Sequence, residues 1–136
     1  MQDRITKTIP EALRIMALKW PEHPIMAKQL SANSWQDITY KEFWEDVQKA
    51  AQILRAAGIK PTDKVVILAK PSYFWQIADK ALALVGAISI SFDLDITKEA
   101  FDLYLEQLCV SAILSQNKLE TSLTDNIQKS ESFYST

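Results

Sequence analysis

The stretch Ala56–Ser72, "AAGIKPTDKVVILAKPS", decides how this chain folds. Gly58 closes a helical pattern, because the left-handed position after a helix strains any residue with a Cβ. Val65–Ala69 is an unbroken apolar run, the mark of a strand covered on both faces. Ser72 then stands where a hydroxyl can cap a new helix. Helix, strand and helix in direct succession set the rhythm of a βαβ protein.

Reading toward the C-terminus, the spacing predicts a helix over Tyr73–Val85 closed by Gly86, its apolar surface broken only by Gln76, Asp79 and Lys80. Ala87–Phe92 reads as the next strand. Thr97 caps a helix with Phe101, Tyr104, Leu105 and Leu108 on one stripe, and Val110–Leu114 is a third strand. Beyond Asn117 the pattern weakens: Lys118–Gln128 has a helical spacing, and Ser130–Thr136 is polar and expected to fray.

Toward the N-terminus, Thr39 and Glu42 form a capping box for a helix whose buried face is Phe43, Val47, Ala50, Ala51 and Leu54. Asp46 falls on its polar side, and Glu45 and Lys49 make a favourable i,i+4 pair. Ile25–Leu30 and Trp35–Thr39 read as two short strands around Ser31-Ala32-Asn33. Before them, Ile9, Leu13, Met16, Ala17 and Trp20 line a short helix that Pro10 starts and Pro21 stops. The expected class is α/β: a parallel sheet of βαβ units with flanking helices, preceded by a short helix and a small two-strand element.

With 136 residues, 48% apolar and 24% charged, the chain has the length and composition of one globular domain. A net charge of −2 gives no field that would gather nucleic acid or anionic lipid. No apolar run is long enough to span a bilayer, and Met1–Lys7 leads into no signal-peptide core. The lone Cys109 has no partner for an internal disulfide, so a reducing compartment, the cytoplasm, is expected. Loops that wrap phosphates need clustered glycines. The chain has two, Gly58 and Gly86, and each follows a helix.

Two places carry residue types that chemistry uses. Lys70 and Ser72 lie past the end of a strand, where open α/β sheets hold ligands and a helix N-terminus favours an anion. One Ser and one Lys make a poor pocket, and the connector reading is preferred. Asp93 and Asp95 follow the next strand and match a Mg²⁺-binding carboxylate pair. Asp is equally a turn residue ahead of a Thr cap, and no acidic cluster follows the first strand. His23 sits between Pro21 and Pro24 without a second ligand and is read as a surface residue. Cys109, between Leu108 and Val110, is read as a small core hydrophobe. Trp20, Trp35, Trp44 and Trp75 have no basic stripe beside them, so packing, or burial against a partner, is preferred over base stacking. No catalytic residue is assigned.

Taken in order, "TIPEALRIMALKWPEHPIM" (Thr8–Met26), "WQDITYKEFWEDVQKAAQILRAAGIKPTDKVVIL" (Trp35–Leu68) and "WQIADKALALVGAISI" (Trp75–Ile90) resemble the opening portion of the adenylate-forming, or AMP-binding, synthetase/ligase superfamily. The likeness covers about Ile9–Asn117 and rests on a series rather than one motif: Trp35…Ile38-Thr39-Tyr40, the helix ending at Gly58, Asp63, Trp75…Ala78-Asp79, and Gly86-Ala87. The tryptophan before the Thr-Tyr pair and the Trp-x-x-Ala-Asp segment look most like long-chain fatty-acid–CoA ligases. Two positions depart: Thr62 stands where the family has Gly, so the turn must form without easy positive φ, and Ser91-Phe92 replaces a Val-Pro pair.

The resemblance implies attack of a carboxylate on Mg·ATP to give an acyl-adenylate, then displacement of AMP by a thiol, with ATP, Mg²⁺ and CoA as cofactors of a full-length member. In the family the phosphate loop, the acidic residues and the catalytic lysine lie downstream. None of those motifs occurs here, so no catalytic residue carries over. Residues 1–117 are expected to be the N-terminal segment of such a domain and 118–136 a weakly patterned tail. Alone the chain is expected to be an inactive scaffold: a natural truncation, a split gene product or an excised piece. Its expected partner is a complementary C-terminal fragment or a second copy, with a fatty acid as substrate only in a complete enzyme. The alternatives are a free-standing interaction module that keeps the fold, and an unrelated small nucleotide-binding α/β domain.

Overall fold

The computed structural model describes residues 8–116 and 127–129. Helix α1 (Ile9–Lys19) begins where Thr8 Oγ1 accepts the Glu11 N–H at 3.3 Å, with Pro10 buried in its first turn. Strands β1 (Pro24–Ser31) and β2 (Ser34–Thr39) pair antiparallel, with Gln29 opposite Trp35. Helix α2 (Tyr40–Ala56) is capped by Thr39, which accepts the Glu42 N–H at 3.1 Å. The Glu42 side chain makes no return bond among the described residues, so half of the expected box forms.

Strand β3 (Lys64–Leu68) is the centre of the main sheet. It is parallel to β4 (Ile88–Phe92) and to β5 (Ala112–Ser115), and the order is β4-β3-β5-β6, with β6 (Ile127–Lys129) antiparallel to β5. Helix α3 (Tyr73–Val85) connects β3 to β4, and α4 (Lys98–Leu108) connects β4 to β5. The first-read stretch thus supplies the strand on which both neighbours are laid.

Successive residues of β3 face opposite layers. Val65 and Ile67 pack with Ala51 and Leu54 of α2, Ala78 and Leu82 of α3, and Leu114 of β5. Val66 points the other way, to Leu105 of α4, Val110 and Ile113. Val65, Val66 and Ile67 have no exposed surface. At about 1.5–3 kcal/mol for each fully buried side chain of this size, these three outweigh the three ion pairs among the described residues. Those pairs (Lys60–Asp63, Lys80–Asp79 and Lys98–Asp102) stay in contact with water, which screens them. A third cluster, Leu13, Ile38, Phe43 and Val47, ties α1 and the hairpin to the far side of α2.

Several expectations change. The Glu45–Lys49 pair does not form among the described residues; both side chains are exposed, where such a pair gains little over water. Ile127 and Gln128 lie in β6 rather than in a helix, because the edge of β5 offers the backbone a ladder that outweighs a weak helical spacing. The remainder of the expected helix, and the tail after Lys129, lie outside the described residues. Cys109 is exposed, not core: α4 ends there, and the residue turns left-handed (φ 52°, ψ 54°), aiming its thiol at solvent while Val110 is buried. Thr62 takes a positive φ (71°), so the turn reaches the left-handed region with a β-branched residue in place of a glycine. Of the four tryptophans, Trp44 and Trp75 pack half-buried against the core as expected, while Trp20 and Trp35 are 41% and 61% exposed.

Candidate functional site

Strands β3 and β5 are adjacent, yet the chain passes through β4 between them. The carboxyl ends of the two strands lie side by side, and the connection from β3 turns away into α3, which leaves a crevice of the kind where α/β sheets hold ligands. Its mouth is closed by a short polar chain. The Gln116 N–H donates to the Leu68 carbonyl at 3.1 Å, and Ser72 Oγ donates to Gln116 Oε1 at 3.4 Å. Ser72 Oγ also accepts the Trp75 N–H at 3.2 Å, which makes it the N-cap of α3.

From this mouth a cleft of about 900 Å³ runs beneath the β1–β2 hairpin, lined by Met26, Lys28, Trp35, Pro71, Tyr73 and Gln116 among others. On its wall the Tyr73 hydroxyl donates to Asp46 Oδ2 at 2.6 Å. Burial raises the Tyr73 hydroxyl well above the usual tyrosine range, and the Asp46 carboxylate that it donates to raises it further. Tyr73 therefore stays a neutral donor through the physiological range and is unsuited to act as a base. Lys28 Nζ lies 5.6 Å from the centre of the Tyr73 ring.

Of the residues singled out by sequence, Ser72 lines the cleft, while Lys70 is exposed beside it and takes no part in the lining. Asp93 and Asp95 are both exposed, at the turn between β4 and α4, just past the Leu68↔Phe92 pair and so on the same carboxyl edge of the sheet as the connection that carries Ser72. Among the described residues no three His, Cys, Asp or Glu side chains gather as a metal would require. His23 is exposed and stacks on Trp20 with ring centres 6.1 Å apart. The Asp46–Tyr73 pair was missed, since its members are 27 residues apart and no local spacing signals it.

The donor set described here does not fit Mg·ATP. Ser72 is committed to its cap and to Gln116, no glycine lies in the β3–α3 connection, and Gly58 and Gly86 are spent on helix ends with φ of 93° and 86°. What the chain defines is a framework: a central parallel sheet, α2 packed across its face, and a hairpin that roofs a cleft.

That layout is the fold of the N-terminal subdomain of adenylation domains. Against the N-terminal subdomain of Klebsiella oxytoca NpsA the TM-score is 0.69 at 19% identity, covering 87% of this chain and 29% of that one. Against the fatty acid AMP ligase of Legionella pneumophila it is 0.71 at 20% identity, covering 79% and 19%. The family model of the AMP-binding enzymes matches residues 13–134, and the chain belongs to that family, of which it represents an N-terminal portion. It is 26% identical over 110 residues to the long-chain-fatty-acid–CoA ligase ACSBG2 of Mus musculus, a match that takes in 81% of this chain and 16% of that protein. The chain thus spans about a sixth of the length of that relative.

Proposed function

We propose that this chain is the N-terminal scaffold of an adenylate-forming ligase that activates a carboxylic acid, with a fatty acid as the substrate class, and that these 136 residues alone form no adenylate. The observation that carries the reading is the match of residues 13–134 to the AMP-binding enzymes. The long-chain-fatty-acid–CoA ligase name of the mouse relative supports the substrate class. The inactivity of the isolated chain is supported by the donor set: Ser72 Oγ is bonded to Gln116 and to the cap of α3, and no glycine lies in the β3–α3 connection to let a backbone wrap a phosphate.

In this reading the chain's work is mechanical. Electrostatic catalysis of phosphoryl and acyl transfer needs donors held where charge develops, and a rigid framework fixes the segments that supply them. Exposed apolar residues such as Leu18 (73%) and Trp35 (61%) support a surface meant to be covered by a further segment or another chain. A cytoplasmic setting accords with the lone, unpaired Cys109, and no described helix is long and apolar enough to cross a membrane.

The test is direct. Purified chain is mixed with ATP, Mg²⁺ and palmitate, and pyrophosphate release is followed while calorimetry reads ATP binding. No release and no binding heat are expected. Steady release dependent on the fatty acid would end the scaffold reading.

A further inference from the structure

We infer that Trp75 and Asp79 are positioning residues for the mouth of the cleft. By bonding to the Ser91 and Ser89 hydroxyls of β4 they fix where α3 lies along the sheet, and through Ser72 they fix the contact with Gln116 that closes the mouth. This linkage stands on the hydrogen bonds of α3 and needs nothing from the scaffold reading.

Helix α3 meets two strands by two different forces. Against β3 the contact is apolar: Ala78, Ala81 and Leu82 pack with Val65 and Ile67, and none of these five has exposed surface. Such burial holds the helix on the sheet but is non-directional, so it does not choose one setting of the helix along its axis.

Against β4 the contact is polar and directional. Ser89 is paired with Val65 and Ser91 with Ile67, so both hydroxyls stand on the sheet face that α3 covers. Trp75 Nε1 donates to Ser91 Oγ at 3.0 Å, and Ser89 Oγ donates to Asp79 Oδ1 at 2.8 Å. The donor and acceptor on the helix are four residues apart, a rise of ~6 Å, and the two serines are two strand residues apart, ~6.6 Å. The spacings match with the helix running opposite to the strand, and one setting of α3 satisfies both bonds. Lys80 braces the pair. Its Nζ donates to Asp79 Oδ2 at 2.8 Å and lies 5.6 Å from the centre of the Trp75 ring.

Trp75 carries the linkage on to the cleft because it is bonded at both ends. Its indole N–H goes to Ser91, and its backbone N–H goes to Ser72 Oγ at 3.2 Å. The same Ser72 hydroxyl donates to Gln116 Oε1 at 3.4 Å. That last bond is long for O–H···O, whose usual range ends near 3.0 Å, so a small displacement of the helix start breaks it. Gln116 in turn reaches β3 through its N–H on the Leu68 carbonyl. The mouth is thus held shut from β4, by residues that do not line it.

The experiment is amide exchange by NMR on the full chain in native buffer, with the Val66 amide at the centre of β3 as the gauge of global opening. Ser91→Ala removes the acceptor at an exposed position, and Trp75→Phe removes the donor while keeping an aromatic ring. Each is expected to speed exchange at the backbone amides of position 75 and of Gln116 by about threefold or more relative to Val66. Both break the same bond, so the double variant should do no more than either alone. Ser89→Ala, which takes from Asp79 its donor on β4, should act in the same direction. Ser91→Thr keeps a hydroxyl and should match the parent chain. The proposal is overturned if Gln116 exchanges at the parent rate in both Ser91→Ala and Trp75→Phe. It is overturned equally if the two effects multiply in the double variant, or if Val66 quickens by the same factor as Gln116, the mark of a general loss of stability. None of these rates depends on adenylation, so a failure here and a failure of the scaffold reading are separable.

Discussion

The Thr62 N–H donates to the Gly86 carbonyl at 3.0 Å, and both residues are left-handed, with φ of 71° and 86°. This contact joins the turn before β3 to the turn before β4 and so sets the offset of the two strands. A left-handed Gly is unstrained, while a β-branched residue in that region carries about 1–3 kcal/mol of strain. Thr62 is exposed, so glycine there removes strain without opening a cavity. Thr62→Gly should raise stability by about 1 kcal/mol, the entropic cost of glycine taking back part of the gain. Gly86→Ala should lower it by about 1 kcal/mol or more, since its φ is unfavourable for alanine and the new Cβ would lie 3.4 Å from Pro61 Cβ. Urea midpoints measured at unchanged slope read both changes.

The Tyr73–Asp46 bond makes a prediction in alkali. The unfolded chain ionises this tyrosine near its ordinary value of 10.0, whereas the folded chain holds the proton to higher pH. Above pH 10 the folded state therefore binds more protons than the unfolded state, and stability falls as pH rises. Below that value the contribution is fully present. Tyr73→Phe should cost about 1 kcal/mol at pH 7 by leaving Asp46 without its donor, and should flatten the decline of stability above pH 10 relative to the parent chain. Equal slopes for the two proteins would remove Tyr73 as the cause.

What the sequence disclosed was whatever local spacing encodes. The Val65–Ala69 run, the Ser72 and Thr97 caps, and the Gly86 stop each act within a few residues, and the structure places the caps and the stop as read and the strand one residue earlier, at Lys64–Leu68. The cleft was not legible, because the residues that build it (Lys28, Asp46, Tyr73 and Gln116) come from separate elements and meet only through the fold. Cys109 misled because apolar neighbours suggest burial, and the end of a helix overrides them. Gln128 misled because the partner that makes it a strand, β5, is remote in sequence.

Ser72 offers a test of connector against ligand contact. As the cap of α3 it satisfies the Trp75 N–H, so Ser72→Ala should cost about 1 kcal/mol. Ser72→Asp keeps an acceptor at the cap and adds a charge that the helix N-terminus favours, so it should stay within about 0.5 kcal/mol of the parent chain. Thermal or urea unfolding of both variants decides the matter. A structural role for Ser72 is rejected if the alanine variant is as stable as the parent.

Cys109 makes the last prediction. Its thiol is exposed in the folded chain, and it is the chain's one cysteine. A chromogenic disulfide reagent should therefore titrate one equivalent per chain in native buffer, at a rate little changed by denaturant. A core thiol would react only after unfolding. The backbone adds a second reading. At φ 52° and ψ 54° the residue occupies the left-handed position that follows a helix, where glycine is favoured over any residue with a Cβ. The exposed side chain fills no core space, so Cys109→Gly should be neutral to stabilising by about 1 kcal/mol. Replacement of a buried cysteine by glycine would instead leave a cavity and cost about 1–3 kcal/mol, so the direction of the stability change separates the two placements of this residue.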